Sequence, residues 1–547
     1  MENSSYGNPA PTSIPYSPMP PRKAPYDMSS ADIVMGVFLL IMGMFFWEWR
    51  LLAVPYGSNL GTFLFIAICL TGCLIYMHIK GIRQNPRSLT ALGAVVLSAL
   101  PFLLYDTTPL HFMLLPFLFA SCLIWIAYSG DPGMSIPLSG FIISDAFNQI
   151  FVIPFCNFGG IFSGWKWGAK QGKSWKSLLA IIIGMLAFIP IFAIIINLLI
   201  SADQGFSSIM TELFKAINAQ VVFRYILHLA LGIPVACYIF GSLYGNGRKR
   251  GAEYITKEKA DKALTSCHKI PGPGVYGPLA LLIVIYITFF AAMGTYLFSG
   301  LAGKLPDEFT YAEYARQGFF ELCGVAFINL IIVALIWLFT KRESGGKPLP
   351  LRIMSCAISL LTLLLIITAA SKMILYIDQY GLTRLRLYTL CIMAIFFALF
   401  LILSLWHIKP FNAGRAMVIA CVILILAPCL SNTDGFIAKY NIDGFESGKL
   451  KELDTYELEE MSDAVIPPLA DYISRNQAKL SDSDNGDAHS DLIFDIEYLL
   501  TDLSENFRDV SDPDIGFYEW NIQSAKAKTR LNETLVMMDM DALPVFK

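Results

Sequence analysis

The chain has 547 residues, of which 55% are hydrophobic, 13% aromatic and 15% charged. An ordinary soluble domain carries about 25% charged residues, so this deficit and the long apolar runs exclude a soluble globular fold and make a bilayer the solvent. The net charge of −3 hides a split: residues 1–430 hold 30 Lys+Arg against 18 Asp+Glu, while residues 431–547 hold 10 against 25.

In chain order, residues 1–30 contain seven prolines between Pro9 and Pro25 and too little apolar surface to order themselves. They are expected to form a disordered cytoplasmic arm. Arg22 and Lys23 precede the first apolar run, Ile33 to Trp49, which ends in Glu48, Trp49 and Arg50 rather than a small-residue cleavage site. It reads as a retained first span. Further spans are expected at 58–77, 88–105, 109–128, 177–200, 221–243, 276–299, 314–339, 353–376, 387–406 and 414–430, several of them just long enough to cross about 30 Å of hydrocarbon at 1.5 Å per residue. The fold class is therefore an all-α integral membrane protein with about eleven transmembrane helices and a small helical extracytoplasmic C-terminal region.

Two stretches depart from this pattern. Residues 138–163 are apolar but broken by Pro154 and Gly159-Gly160, and they carry Asp145, Asn148, Gln149 and Asn157. They read as a re-entrant or interfacial element, because non-helical backbone at membrane depth survives only within protein or along a cavity. Residues 203–219 place Phe206, Ile209, Met210, Leu213, Phe214 and Ile217 at helical spacing, as an amphipathic helix on the outer surface does. Gly160, Gly164 and Gly168 are four apart, a spacing that permits close helix contact. With the N-terminus inside, the inner loops collect 22 Lys+Arg and the outer ends up to residue 430 collect eight. That bias orients the membrane domain, 31–430, and eleven crossings put the tail, 431–547, outside. In the tail, Leu492 to Phe507, Val465 to Ile473 and Trp520 to Leu535 form helical stripes, and 480–490 reads as a mobile loop.

Chemical motifs are sparse. All eleven cysteines precede residue 431, most within apolar runs and without a ligand-like spacing, as packing residues do. Gly300-Leu-Ala-Gly303-Lys304 lacks the spacing of a phosphate loop, and no zinc-protease or nucleophile-elbow motif occurs. The sequence offers no catalytic residue, no metal site and no cofactor, and nothing directs it to nucleic acid. His228 shares a helix face with Arg224 and reads as a hydrogen-bonded packing residue.

One constellation stands out, at the outer ends of the later spans. Glu313, Arg316 and Glu321 share a helix face, and Tyr380, Arg384 and Arg386 follow nearby with Lys372 and Asp378. Together with Arg224 these residues form a basic, tyrosine-lined rim. Either they are an ion-pair network that fixes helix packing, or they hold an anion such as a lipid headgroup, for which arginine is suited. Glu321 lies deepest and needs a basic partner, from Arg316, Arg384 or Arg386. The acidic tail lies on the same side, so opposite charge is expected to draw it over the rim as a lid.

The string Glu313-Tyr-Ala-Arg-x-Gly-Phe-Phe-Glu-Leu322 and Tyr380-Gly-Leu-Thr-x-x-Arg386 resemble a bacterial family of multi-span membrane proteins, the domain of unknown function four-one-seven-three, with its relative four-one-five-three. Tyr440-Asn441-Ile442, Met461-Ser462-Asp463-Ala464 and Trp520-Asn521 extend the resemblance over about 300–535, with Met461 a slight departure from the family's leucine. The resemblance implies a location in the bacterial cytoplasmic membrane and no activity. The preferred function is a non-enzymatic envelope sensor, assembly factor or scaffold. Its partners are the lipid bilayer, an anionic lipid or other anion at the outer face, and an envelope protein. A transporter or lipid flippase is the alternative. A membrane transferase is the third class, disfavoured because the first outer loop, 50–57, carries no carboxylate.

Overall fold

The computed structural model describes residues 26–49, 51, 59–106, 108–130, 142–164, 219–251, 262, 265–299, 319–341, 348–480, 498–500 and 517–537. Within them the chain is helical, apart from an isolated bridge between Ile270 and Thr340. The long helices are α1 (Ser30–Glu48), α2 (Asn59–Ile79), α3 (Pro86–Leu104) and α4 (Thr108–Gly130). Short pieces follow, α5 (Ile142–Phe147) and α6 (Ile153–Cys156), joined by a π turn over Asn148–Val152. Then come α7 (Ala219–Gly247), α8 (Pro273–Ser299), α9 (Phe319–Phe339), α10 (Leu349–Tyr380), α11 (Arg384–Ile408) and α12 (Ala413–Cys429). Beyond a 65° bend lies α13 (Thr433–Glu446), followed by α14 (Thr455–Glu459), α15 (Ile466–Leu480) and α16 (Ile522–Met537).

Ten helical segments are long and apolar enough to cross a membrane, or eleven if α12 and α13 count as one bent span. Each expected span within the described residues coincides with a helix. The expected span at 177–200 and the surface helix at 203–219 fall outside them, but for Ala219, which opens α7. So does the arm before residue 26. Val34, Ile75, Phe112, Val284, Phe327 and Ile374 point outward, which for a helix in lipid costs nothing.

Hydrogen bonds give the bundle two distinct ends. At one end the C-terminal region sits against the close of α1 and α3, the opening of α2, and the α10–α11 turn. At the other, the amino end of α1 meets the carboxyl end of α2. There the buried Asp32 accepts from Lys80 (2.7 Å), the Tyr76 hydroxyl (2.7 Å) and the backbone and hydroxyl of Ser29 (2.7 and 2.8 Å). Asn85 caps α3 by accepting from the N–H groups of Arg87 and Ser88, both at 2.9 Å, and Pro86 occupies the first turn.

By length and hydropathy Asp145–Gly164 also passes as a span. Its recorded partners, however, lie in the half of α1 and α7 away from the C-terminal region. Gln149 accepts from Asn246 (3.0 Å), the Ile150 carbonyl from Tyr238 (2.9 Å), and Asn157 donates to the Arg250 carbonyl (2.8 Å). Ile161 packs near Gly36. Of the glycines four apart, Gly160 faces the Phe240 ring and Gly164 faces Ile33. A tight helix crossing lies elsewhere: α1 and α7 meet at Gly43 and Gly232, where a Cβ on either would run into the other's backbone.

Two large cores result. One joins Leu39, Cys73, Val95, Leu114, Trp125 and Phe240 in the first half of the chain. The other runs from Ile358 and Phe400 among α8–α11 into Ile437, Leu469, Ile473 and Leu531 of the C-terminal region. That region therefore shares its apolar interior with the membrane helices above which it sits.

Candidate functional site

The site forms where α10 turns into α11. Gly381 has φ +76°, a conformation glycine takes without strain, and a Cβ there would strike the Asn441 side chain. Asn441 of α13 accepts from the Leu382 N–H (2.7 Å) and donates to its carbonyl (2.7 Å), so one side chain satisfies both polar groups of a buried turn residue. Thr383 then caps α11, accepting from the Arg386 N–H at 3.4 Å.

Arg384, the first residue of α11, grips Asp434 with two nitrogens, Nε at 3.0 Å and Nη2 at 2.5 Å. Its Nη1 donates to the Glu460 carbonyl at 2.7 Å. Asp434 is fully buried, and its Oδ2 also accepts from the backbone N–H (3.1 Å) and hydroxyl (2.6 Å) of Ser462. The Ser462 hydroxyl in turn accepts from Gln523 of α16 (3.2 Å). A forked guanidinium–carboxylate pair is strong and directional, and the first turn of α13 favours the negative charge of Asp434. Four elements of distant sequence are thus tied through one arginine.

A second set of contacts holds the last helices down. The Leu60 N–H donates to the Trp520 carbonyl (3.1 Å) and the Asn59 amide to the Glu519 carbonyl (3.1 Å). The Trp49 and Phe517 rings meet edge to face at 6.0 Å. Asn521 caps α16 by accepting from the Ser524 N–H (2.8 Å). Asn59 also donates to Asp106 (3.1 Å), just past α3. Burial raises the Asp106 carboxyl above its ordinary range, against the Asn59 hydrogen bond; Asp434 adds to the rise and Arg384 opposes it. Asp463 goes further: burial pushes it up to about 6, a hydrogen bond with Ser524 opposes the rise, and the charge of Asp106 adds to it.

Of the residues singled out from sequence, the structure gathers Tyr380, Arg384 and Arg386 at this junction. Arg386 donates to the carbonyls of Tyr380 (2.9 Å) and Gly381 (2.5 Å) and lies 4.2 Å from the Tyr376 ring centre. Asp378 accepts from Lys449 (2.7 Å). Arg224 is placed apart, on Glu48 of α1 (3.1 Å), where His228 is also hydrogen-bonded (2.8 Å). Glu321, in the first turn of α9, has an exposed side chain and lies within electrostatic range of Lys372, buried in α10. Glu313 and Arg316 lie outside the described residues.

Other polar groups escaped the sequence reading. Asp434, Asp106 and Asn59 carried no motif. Midway along the spans, the Tyr286 hydroxyl donates to Asn329 (2.6 Å) and Asn329 donates to Thr362 (2.8 Å), joining α8, α9 and α10. Among the described residues no group of His, Cys, Asp and Glu is arranged to hold a metal ion.

These observations define a multi-pass α-helical membrane protein whose helical C-terminal region is docked on one end of the bundle. The family model described as Domain of unknown function (DUF4153) matches residues 65–472, and the chain belongs to that family. The match starts in α2, well before residue 300 where the recognisable motifs begin, and it falls on the second of the two family numbers. No curated protein and no solved structure matches the chain.

Proposed function

We propose that the protein is a non-enzymatic sensor or assembly scaffold of the bacterial envelope, held in the cytoplasmic membrane with its N-terminus inside and its C-terminal region outside. The observation that carries this is the Arg384 clamp. Its guanidinium is committed to Asp434 and to the Glu460 carbonyl, so the basic rim grips the chain's own outer region. An external anion would take Arg384 only by displacing Asp434, which is how a ligand or partner would release the region. Sidedness is supported by the 22 Lys+Arg of the inner loops against eight outside. Transport gains no support from the mid-depth polar groups, because Tyr286, Asn329 and Thr362 satisfy one another and lock three helices.

The test places a photo-crosslinking residue at Tyr456, which is 70% exposed on the C-terminal region, in otherwise unaltered and Arg384→Gln chains in living cells. A sensor or scaffold forms a discrete adduct in the unaltered chain whose yield changes at least several-fold in Arg384→Gln. Absence of adduct, or equal yield, counts against the reading.

A further inference from the structure

We propose that the groove between α1 and α2 is a binding site for one anionic phospholipid, with an acyl chain along the groove and the headgroup at Lys80. The site lies at the end of the bundle away from the C-terminal region and takes no part in the Arg384 clamp. Under the sidedness proposed above, the lipid belongs to the cytoplasmic leaflet.

The groove holds about 710 Å³, within the range of about 300–1,000 Å³ typical of ligand sites. Ala31, Val34 and Phe38 of α1 and Ala67, Thr71 and Ile75 of α2 form much of its wall. Val34, Thr71 and Ile75 are exposed, so the groove opens sideways, toward the surface that a span presents to lipid. Its origin lies in the packing of α1. At 3.6 residues per turn Val34 stands about 180° round the helix from Gly43, and Gly43 is where α1 closes on Gly232 of α7. The groove face of α1 is thus turned away from that tight crossing. On α2, Ala67 and Gly72 are too small to fill the gap, and the Phe38 ring lies over Gly72, where a Cβ would strike it. The Thr71 hydroxyl donates to the Ala67 carbonyl (2.8 Å), so it places no polar demand on the occupant.

Length and charge name that occupant. From Ala67 to Ile79 the groove follows α2 for about 18 Å at 1.5 Å per residue, close to one leaflet of a hydrocarbon core about 30 Å thick. An acyl chain has that reach, whereas a neighbouring membrane helix would need a seam through the full depth. The end beside Ile79 is polar. Ser30 is exposed there, next to Tyr76 in the groove wall. The Lys80 ammonium lies 5.7 Å from the Tyr76 ring centre and donates to the Ser29 hydroxyl and to Asp32, both at 2.7 Å. These bonds use two of the three donors an ammonium has, and the side chain keeps 15% exposure. A phosphate can therefore accept from Lys80 without displacing Asp32. Arg83, exposed in the loop after α2, adds a second positive charge. Basic groups between helices at the cytoplasmic surface select anionic headgroups.

Native mass spectrometry of the full-length protein, released from nanodiscs of equal phosphatidylglycerol and phosphatidylcholine, tests the site. The unaltered chain is expected to retain one phospholipid, with phosphatidylglycerol favoured about fivefold, the worth of one basic group near a membrane surface. Thr71→Trp fills the groove from an exposed position on α2 and is expected to lose most of that lipid. Val34→Trp, equally outward on α1, repeats the test from the other wall. Val96→Trp, exposed on α3 away from the groove, is the control and is expected to keep the lipid. Absence of retained lipid overturns the proposal, as does retention in the bilayer's own ratio or equal retention in Thr71→Trp and Val34→Trp. A dimer without lipid also overturns it, by giving the groove to a second copy of the chain. The readout does not depend on sidedness, and failure here leaves the Arg384 clamp untouched.

Discussion

Asn441 shows how one side chain sets the geometry of the junction. Its amide meets both polar groups of Leu382 at 2.7 Å, and replacing it with alanine leaves a buried N–H and carbonyl without partners. Such a loss costs about 1–3 kcal/mol, so Asn441→Ala is expected to lower the thermal midpoint in detergent and to raise exchange over 381–383. Asn441→Asp keeps the acceptor and loses the donor, and should fall between. At the far end, Asp32→Ala strips a buried carboxylate from the half-buried Lys80 and leaves the Tyr76 and Ser29 donors without their acceptor, a loss of about 1–3 kcal/mol. Asp32→Asn, which keeps the bonds from Ser29 and Tyr76 within reach, should recover part of that loss. Arg384 and Arg386 were legible because basic residues are scarce at the outer ends of the spans, eight against 22 in the inner loops, and Tyr380 because it lies four before Arg384. Their partners were not. Asp434 is one of 25 acidic residues after residue 430, and composition treats it as solvated charge, whereas the fold buries it completely. Asn441 was visible only within Tyr440-Asn441-Ile442, one of the strings that carry the family resemblance.

The helices themselves were readable almost throughout, because apolar length against bilayer thickness leaves few alternatives. What they do to one another was less so. The glycines four apart in sequence drew notice, yet the tight crossing uses Gly43 and Gly232, which share no motif because they lie on helices far apart in the chain. Substituting leucine at Gly43 places a side chain against the Gly232 backbone; α1 and α7 must separate, and a large loss of folded protein on purification is expected. Leucine at Gly93, where nothing lies within 4 Å, is the matched control and should behave as the unaltered chain. The mid-depth triad makes a gentler test. Asn329→Leu removes both interhelical bonds but fits a lipid-compatible core, so a loss of about 0.6–2 kcal/mol is expected. Period and hydropathy cannot register this triad, since one asparagine in a span of mean hydropathy 2.7 barely moves the average.

Across the whole molecule, the charge split forecast attraction between a basic membrane domain and an acidic tail, and the two do meet. The contact is nonetheless made by a few placed pairs and a continuous apolar core rather than by a diffuse field: Arg384 with Asp434, Lys449 with Asp378, and Ile437 and Leu469 against the helices below. The two charged pairs lie at one end of the bundle, around the turn from α10 to α11. The sidedness proposed here then makes all of them stand or fall together. Lys451 is exposed on the C-terminal region, and Lys409 is exposed at the opposite end of the bundle, past α11. A cysteine at each, in turn, can be labelled with a membrane-impermeant maleimide, against the unaltered chain as background, since the region after residue 430 has no cysteine of its own. Intact cells should label Lys451→Cys and spare Lys409→Cys, and inside-out vesicles should reverse the pattern. The opposite pattern would place the acidic region in the cytoplasm, where no external ligand for the Arg384 clamp could reach it.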